Sequence, residues 1–478
     1  MADETPLTLR TPPMSDDDDV ETPLLDGKTG DGDEDAPKDK YLLTFWIMFL
    51  FGVGSLLPWN MFITAEQYFR AELSHYDNLS KNFENYLIIA AQVPNVTFLF
   101  INAFYKEWLS EKMRILISLL TMLAMMVLTA VLAALDSDEW QVAFFGVTMA
   151  SVVVMNVASA IFQGGVFGMV GRFPPRYRTA VMSGQGLGGT FAALANIFSL
   201  LGAGGAQQLT KAQLERSAIG YFMCAVVVII ISIVGYVALY KLPFAKYYSK
   251  SQTSGGAGQK KPNFKLVLKQ MWPMALSVAL VFFVTLSIFP AITASIKSVR
   301  QTDSMCNATS SAVNGTNGTS SNTSTPTDDP ISEAAQAWIC TYFTPVTCFL
   351  LFNAMDFIGR TLPTVVKKPG PRYILVPVCA RLLFIPLFLF CKFDTGYKPY
   401  FNSDAAPIVL MMFMAVSNGY LGTLSFIYAP SKVAPEDGET AGALMAAFLG
   451  SGLLSGTLFS FLSAGVLVDA VQKHLPAA

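Results

Sequence analysis

Long apolar stretches alternate with short polar breaks along almost the whole chain of 478 residues. A helix rises about 1.5 Å per residue, so about 20 apolar residues are enough to cross a bilayer. The pattern therefore predicts an all-α polytopic membrane protein. We count eleven candidate transmembrane helices, at roughly 41–65, 84–105, 113–135, 141–170, 178–201, 217–240, 265–296, 338–365, 372–391, 406–429 and 438–470.

The polar breaks divide the chain into four segments. Residues 1–40 hold 13 acidic against 4 basic residues, a net charge of −9, so the formal −2 of the whole chain leaves +7 for the rest. Because it has so few apolar residues, this segment is predicted to be a disordered cytoplasmic tail. The Lys-, Gly- and Ser-rich cytoplasmic loop 241–264 then separates a six-helix bundle at 41–240 from a five-helix bundle at 265–470, a 6+5 layout.

Basic residues indicate which breaks face the cytoplasm. Lys and Arg are concentrated in the breaks after spans two, four, six and eight, which predicts that these breaks and the N-terminus are cytoplasmic. An odd number of spans then puts the C-terminus outside. Glycosylation sequons fall on the predicted outside, in the first break and in the Ser-, Thr- and Asn-rich insert 298–337, at Asn78, Asn307, Asn314, Asn317 and Asn322.

Cys306 and Cys340 flank the same insert on the oxidising side of the membrane. A disulfide between them and a pair of free thiols are both compatible with the sequence. The other four of the six cysteines lie in or at the ends of spans, where Cys is an ordinary small apolar residue.

Asp356 and Arg360 lie inside an apolar run that should be buried in lipid. An isolated charge at the bilayer centre costs from about 2.5 to more than 10 kcal/mol. A spacing of four places the two side chains on one helix face, and Asn353 lies on the same stripe. One interpretation is a structural ion pair. We favour the other, contact with a polar solute, because a purely structural buried pair rarely repays its desolvation.

Two further groups of side chains favour a solute path through the membrane. In span one, Pro58 bends the helix beside Trp59, whose mid-span position favours stacking or gating over simple packing. In span four, Asn156, Ser159 and Gln163 share one helix face. The Gln163 amide offers donors and acceptors in one plane, which suits the edge of a nucleobase. Hydrogen bonds between helices explain these span-four residues equally well.

The sequence offers no catalytic site. Its two histidines, His75 and His474, lie in loops or at span ends, and it has no metal-ligand spacing or phosphate-binding loop. We therefore expect no enzyme activity, no metal and no cofactor. The basic residues are scattered through loops, so we expect no nucleic-acid partner. Acids are almost absent from the spans, and Asp356 has its own arginine, which favours gradient-driven over proton-driven transport.

Short segments along the membrane portion form a combined signature, in which each segment alone is weak. They are Leu56 to Asn60, Gln163 to Gly168, Met182 to Gly189, Phe289 to Ala291, Tyr342 to Phe349, Asp356 to Arg360, Ser417 to Tyr420 and Glu439 to Gly442. With these segments the sequence resembles the equilibrative nucleoside transporter family (solute carrier family 29) over nearly its whole membrane portion.

The resemblance implies a major-facilitator-like 6+5 arrangement, a central cavity that works by alternating access, and a purine or pyrimidine nucleoside as substrate. It also implies that Gln163 meets the base and that Asp356 and Arg360 meet the ribose hydroxyls. Ser159 joins this substrate-binding set by its place beside Gln163. Other roles implied by position are cavity lining by Leu56, Trp59 and Asn353, an outer constriction by Ile63 and Pro290, and an inner charged gate by Arg114 and Glu439.

We therefore predict facilitative, sodium-independent nucleoside transport by a monomer in the lipid bilayer of the plasma membrane, with an endolysosomal membrane as the alternative. Three rivals stay open: an organic-cation carrier, which would need an unpaired acid in the cavity, a proton-coupled nucleoside carrier, and a non-transporting membrane receptor. Ile63, Gln92 and Asn95 depart from the family pattern, and the resemblance implies that such changes alter base preference or inhibitor affinity.

Overall fold

A computed structural model describes residues 37–104, 110–202, 210–250, 263–301, 306, 333–393 and 400–462. Every regular element in these ranges is helical, as the apolar pattern predicts. By length and apolar composition, 8 of the described helices can cross a membrane, or up to 9 if a bent pair counts as one span. The all-α fold is thus confirmed, whereas the count of eleven spans stays a prediction.

The helices are numbered here in chain order. The first ten are α1 (Leu43–Thr64), α2 (Glu66–Glu72), α3 (Asp77–Lys81), α4 (Phe83–Phe104), α5 (Glu111–Leu132), α6 (Gln141–Gly171), α7 (Pro175–Gly202), α8 (Lys211–Leu239), α9 (Pro243–Lys250) and α10 (Phe264–Ile288). The others are α11 (Glu333–Ala337), α12 (Leu351–Thr361), α13 (Leu375–Ala380), α14 (Phe384–Leu389), α15 (Ala405–Ser431) and α16 (Gly438–Leu462).

Polar residues in the breaks determine where several helices start. Ser110 caps α5 and Asn263 caps α10, each by accepting a backbone N–H of the first turn. Thr210 and Gln213 form a reciprocal capping box at the start of α8. These side chains satisfy N–H groups that have no partner within the helix, so the breaks stabilise the helices that follow them.

The structure interrupts two of the predicted spans. Span eight is bent by 65° between Ala335–Tyr342 and Pro345–Thr364, and π-helical turns flank the bend. A proline at the bend removes a backbone donor, while the apolar composition continues unchanged through it. Span nine consists of α13 and α14, joined by a 3-10 turn at Arg381–Leu383.

Helices α1 and α7 pack backbone against backbone. A Cβ atom added to Gly52 would lie 2.0 Å from the carbonyl oxygen of Val181, and one added to Gly184 would lie 2.0 Å from that of Phe49. Only residues without a side chain permit this approach, which is a common way for helices to associate in membranes. The contact fixes α1, the helix that carries Trp59, against α7.

The bundle has two ends, named here by the short helices they contain. At the α2 end, Lys211 lies 2.7 Å from Asp138 and 3.6 Å from Glu72, which also accepts a hydrogen bond from Ser137. At the α9 end, the Tyr177 hydroxyl donates to Asp39 at 3.0 Å. Polar side chains thus tie neighbouring helices together at both ends.

The insert between α10 and α11 is crosslinked. The sequence left a bridge and free thiols open for Cys306 and Cys340, and the structure contains the disulfide, with a Cα–Cα distance of 5.5 Å. The Asn78 sequon is exposed. The other four predicted glycosylation sites lie outside the described residues, at Asn307, Asn314, Asn317 and Asn322.

Candidate functional site

A cavity of about 400 Å³ lies at the centre of the bundle. Helices α1, α2, α4, α6, α7 and α8 line it from the first half of the sequence, and α10, α12, α15 and α16 from the second. Its volume falls within the range of about 300 to 1,000 Å³ that is typical of small-molecule sites. It brings together every predicted substrate-binding residue and both residues of the predicted outer constriction: Leu56, Trp59, Ser159, Gln163, Asn353, Asp356, Arg360, Ile63 and Pro290.

Hydrogen bonds to protein groups hold both members of the Asp356–Arg360 pair. Arg360 Nε donates to Asp356 Oδ2 at 2.6 Å, and both side chains are buried, at 5% and 4% exposure. Asn418 donates to the other carboxylate oxygen at 2.7 Å. Arg360 also donates to Gln185 Oε1 at 3.2 Å and to the Met182 carbonyl at 3.3 Å. The pair therefore has a fixed geometry at the cavity wall, away from lipid.

A second buried cation lies behind this pair. Arg381 is 2% exposed and donates to Thr285 Oγ1 at 2.7 Å and to the Ser417 hydroxyl. Thr285 in turn donates to Asn418 Oδ1 at 2.7 Å, and Asn418 donates to Asp356. Two guanidinium groups thus flank one carboxylate, one directly and one through a chain of hydrogen bonds.

Gln163 faces the cavity from the opposite half with its amide unused. It is 4% exposed, and its side chain has no hydrogen-bond partner among the described residues. Its neighbours on α6 are engaged, since Asn156 donates to the Val152 carbonyl at 2.9 Å and Ser159 to the Ser55 carbonyl at 3.1 Å. Gln163 can therefore donate to and accept from a solute.

Three more side-chain amides line the same side of the cavity. Asn60 lies on α1, and Gln92 and Asn95 lie on α4. None of the three side chains has a hydrogen-bond partner within the described ranges. Beside them, the half-buried indole of Trp59 adds a flat apolar surface. This wall suits a planar solute with polar edges.

Arg114 and Glu439 lie outside the cavity, at the α9 end. Glu439 is 3.8 Å from Arg114 and 3.8 Å from Arg172, and Arg172 also pairs with Glu111. These four residues come from α5, α16 and the segment that follows α6. Charged side chains from both halves of the sequence therefore meet at the α9 end of the cavity. An inner charged gate, as predicted, needs such a meeting of the two halves.

Helices α6 and α16 also close the α9 end by direct backbone contact. A Cβ added to Gly171 would lie 2.2 Å from the Gly438 carbonyl oxygen, and one added to Gly442 would lie 2.1 Å from that of Phe167. The lining reaches the surface at the opposite end, where Gln67 of α2 is exposed. The structure thus shows a cavity open to the α2 end and closed at the α9 end.

Sequence reasoning missed the side chains that hold the central pair. Asn418 and Gln185 lie within the signature segments, but helical spacing reports only contacts within one helix, and both bond across to α12. Thr285 lies in an apolar run, and the Val281 carbonyl of its own helix, 2.9 Å away, shares the hydroxyl proton that Thr285 offers to Asn418. No pattern in the sequence distinguishes such a threonine from an ordinary one.

Known proteins are similar to this chain in sequence or in fold. The profile of a family described as Nucleoside transporter matches residues 149–263 and 302–464. Human equilibrative nucleoside transporter 2 is 36% identical over 91% of this chain and 99% of its own length. Human equilibrative nucleoside transporter 1 is 33% identical over 89% and 98%, and rat equilibrative nucleoside transporter 3 is 29% identical over 88% and 88%.

Among solved structures, a proton:xylose symporter of the major facilitator superfamily is similar, with a TM-score of 0.53 over 91% of this chain and 95% of its own. The two sequences are only 9% identical, so this likeness concerns the fold alone. It confirms the predicted major-facilitator-like architecture.

Proposed function

We propose that this chain, which belongs to the nucleoside transporter family, moves nucleosides down their concentration gradient across a membrane by alternating access. The observation that carries the proposal is the central cavity. It holds an immobilised carboxylate–guanidinium pair on one wall and an unused amide, Gln163, on the other. A nucleoside presents a diol at one end and a flat polar base at the other, so it fits between these two walls.

The contacts support a role for each group. The Asp356 carboxylate can accept from ribose hydroxyls, and Arg360 can donate to them, as charge-assisted hydrogen bonds. Gln163 can form hydrogen bonds with the edge of the base, while Trp59 offers a face on which the base can stack. Leu56 lines the cavity beside them.

The two ends of the cavity support alternating access. We assign the α2 end to the outside and the α9 end to the cytoplasm, in agreement with the basic breaks, the sequons and the disulfide. Ile63 and Pro290 then form the outer constriction, and Arg114 with Glu439 the inner gate. Opening the inner gate requires the 6-helix and 5-helix halves to rock apart at the α6–α16 contact.

The engaged state of Asp356 supports passive transport over proton coupling. Both carboxylate oxygens already have a partner in Arg360 and Asn418. Taking up a proton would require Asp356 to give up one of these two hydrogen bonds, so it is poorly placed to carry a proton. We therefore propose equilibrative, sodium-independent transport by a glycosylated monomer of the plasma membrane, with no enzyme activity and no cofactor.

Uptake of radiolabelled uridine and adenosine into transport-null oocytes tests the function. We expect saturable uptake that an imposed pH gradient does not make concentrative. The variant Arg360→Ala should lose uptake while it still reaches the surface. The proposal fails if the wild-type protein reaches the surface and shows saturable uptake of neither nucleoside.

A further inference from the structure

The cavity extends well past the central pair toward the α2 end. On α7 its lining runs from Gln185, which contacts Arg360, to Ser199, 14 residues later. At 1.5 Å per residue this is about 21 Å along the helix. A nucleoside is much shorter than that, so the cavity has a second level at which a solute can be held.

A polar chamber occupies this second level, between α2, α7 and α8. Its side chains are Gln67, Asn196, Ser199, Ser217 and Tyr221. The hydroxyl oxygens of the two serines lie 2.7 Å apart. The Tyr221 hydroxyl lies close to Ser199. The amides of Gln67 and Asn196 have no partner among the described residues. The chamber therefore combines a preformed hydroxyl network with two unused amides.

Apolar residues separate the chamber from the central pair. The lining between the two levels comes from Ile63, Ala192, Ala193, Phe289 and Pro290. Phe289 is fixed by stacking on Phe352, with ring centroids 4.0 Å apart. Apolar side chains thus contribute to the wall between the two polar levels, at the position of the predicted outer constriction.

Charges at the mouth of the chamber disfavour anions. Glu66 lines the cavity there and lies 2.6 Å from Arg70, which is also 3.5 Å from Glu84. Two carboxylates thus share one guanidinium, and a net negative charge remains. Such a charge repels a phosphate group, whereas it has little effect on an uncharged solute.

We propose that this chamber is a second binding site, which holds an uncharged nucleoside through its hydroxyls and base edge before the solute passes the Ile63–Pro290 constriction. The proposal rests on the proposed function and adds a site to it. Holding the solute next to the constriction raises the rate of capture at low concentration. In a passive carrier the gain in Vmax/KM must be equal for uptake and efflux, because the chamber changes no equilibrium.

A substituted-cysteine experiment tests the site directly. The full-length variant Ser199→Cys is labelled from outside with a neutral thiol reagent, with and without uridine, and labelling of the introduced thiol is quantified by mass spectrometry. At a uridine concentration of about four times the chamber's Kd, free chambers and hence the labelling rate should fall about fivefold. The same protection is expected in Ser199→Cys combined with Arg360→Ala, because the chamber does not use the central pair.

Loss of protection in the Arg360→Ala background would show that uridine acts only through the central pair, and would overturn the proposal. Gln163→Ala provides a second central-site background if the arginine variant does not reach the surface. Protection by uridine with none by uridine monophosphate is the expected charge preference. Equal protection by both would contradict the charge argument.

Transport kinetics give an independent measurement. Tyr221→Phe and Asn196→Leu should each lower Vmax/KM for uridine about two- to tenfold, the loss expected for one hydrogen bond, equally for uptake and efflux. Phe198→Leu is the matched control, since Phe198 lies on the same helix beside Ser199 and is 66% exposed. Normal kinetics in both chamber variants would overturn the proposed second site. Saturable uptake by the wild-type protein would still support the proposed function in that case.

Discussion

At the scale of single residues, the structure shows which groups stabilise the Asp356 carboxylate inside a membrane. Its two carboxylate oxygens accept hydrogen bonds from Arg360 and Asn418. Arg381 is a second positive charge nearby, connected to Asn418 by hydrogen bonds through Thr285. Breaking a buried pair by removing one partner is costly because it strands the other charge. The geometry also explains why this position needs an arginine, whose planar fork reaches Asp356 and Gln185 at once.

Arg360→Lys should therefore fail to restore transport although it keeps the charge. A lysine ammonium cannot make two fixed contacts in the way a guanidinium does, so we expect Vmax/KM to fall by about tenfold or more. Uridine uptake, corrected for surface expression, is the measurement. Arg216→Lys, at an exposed position on α8, is the control and should leave uptake unchanged. Wild-type kinetics in Arg360→Lys would contradict the assigned geometry.

Glu72 gives the molecule a pH-dependent contribution to stability. It is 2% exposed, and burial raises the pKa of its carboxyl above the ordinary 4.5, although Ser137 and Lys211 act in the opposite direction. A pKa raised by folding means that stability is fully present below the unfolded value and is lost as pH rises through the folded value.

The variant Glu72→Gln should abolish this loss. We expect the Tm of the variant, relative to that of the wild-type protein, to be higher at pH 8 than at pH 4.5. Thermal unfolding of the purified protein at the two pH values measures it. An equal difference in Tm at both pH values would show that burial does not govern the Glu72 carboxyl.

At the scale of elements, one of the closest contacts in the described residues is the one between α1 and α7. It positions Trp59 relative to Gln185, and so links the stacking surface to the partner of Arg360. Because Gly184 approaches the Phe49 carbonyl, even a methyl group there would force the two helices apart.

Gly184→Ala is therefore expected to destabilise the protein by about 1 to 3 kcal/mol, the usual cost of overpacking. Gly220→Ala is the control, because a Cβ at Gly220 meets nothing within 4 Å and alanine is the better helix former. Thermal unfolding compares the two variants. A Gly184→Ala protein as stable as Gly220→Ala would mean that α1 and α7 can separate at little cost.

The sequence predicted elements better than it predicted their shape or their partners. Apolar runs were enough to find the long helices, and helical spacing was enough to pair Asp356 with Arg360. The bend before Pro345 was missed because apolar composition continues through it. The bond from Asn418 to Asp356 was missed because spacing within one helix carries no information about which helices become neighbours.

At the scale of the whole molecule, the closed α9 end depends on backbone contact as well as on charge. Gly442 meets the Phe167 carbonyl, and Glu439 meets Arg114 and Arg172. A side chain at Gly442 would be incompatible with this contact, whereas it would be harmless once the two halves have moved apart. Such a substitution should therefore shift the population toward the state open at the α9 end.

Gly442→Val tests this shift. In inside-out vesicles, a thiol introduced by Ser159→Cys should be labelled faster from the α9 end in the Gly442→Val background than without it. Gly146→Ala on α6 is the control, since a Cβ there meets nothing within 4 Å. Unchanged labelling would show that the α6–α16 contact does not control access to the cavity.

The three charges buried in and behind the cavity wall have an electrical consequence. Asp356, Arg360 and Arg381 leave a net charge of one positive unit inside the membrane. Moving one unit charge across a membrane potential of 100 mV changes its energy by about 2.3 kcal/mol. A nucleoside adds no charge of its own, and a complete cycle returns every side chain to its starting position. The work done by the field therefore cancels over the cycle. A sudden voltage step should displace the cluster and produce a brief transient current, while steady transport carries no current and its end point is independent of voltage.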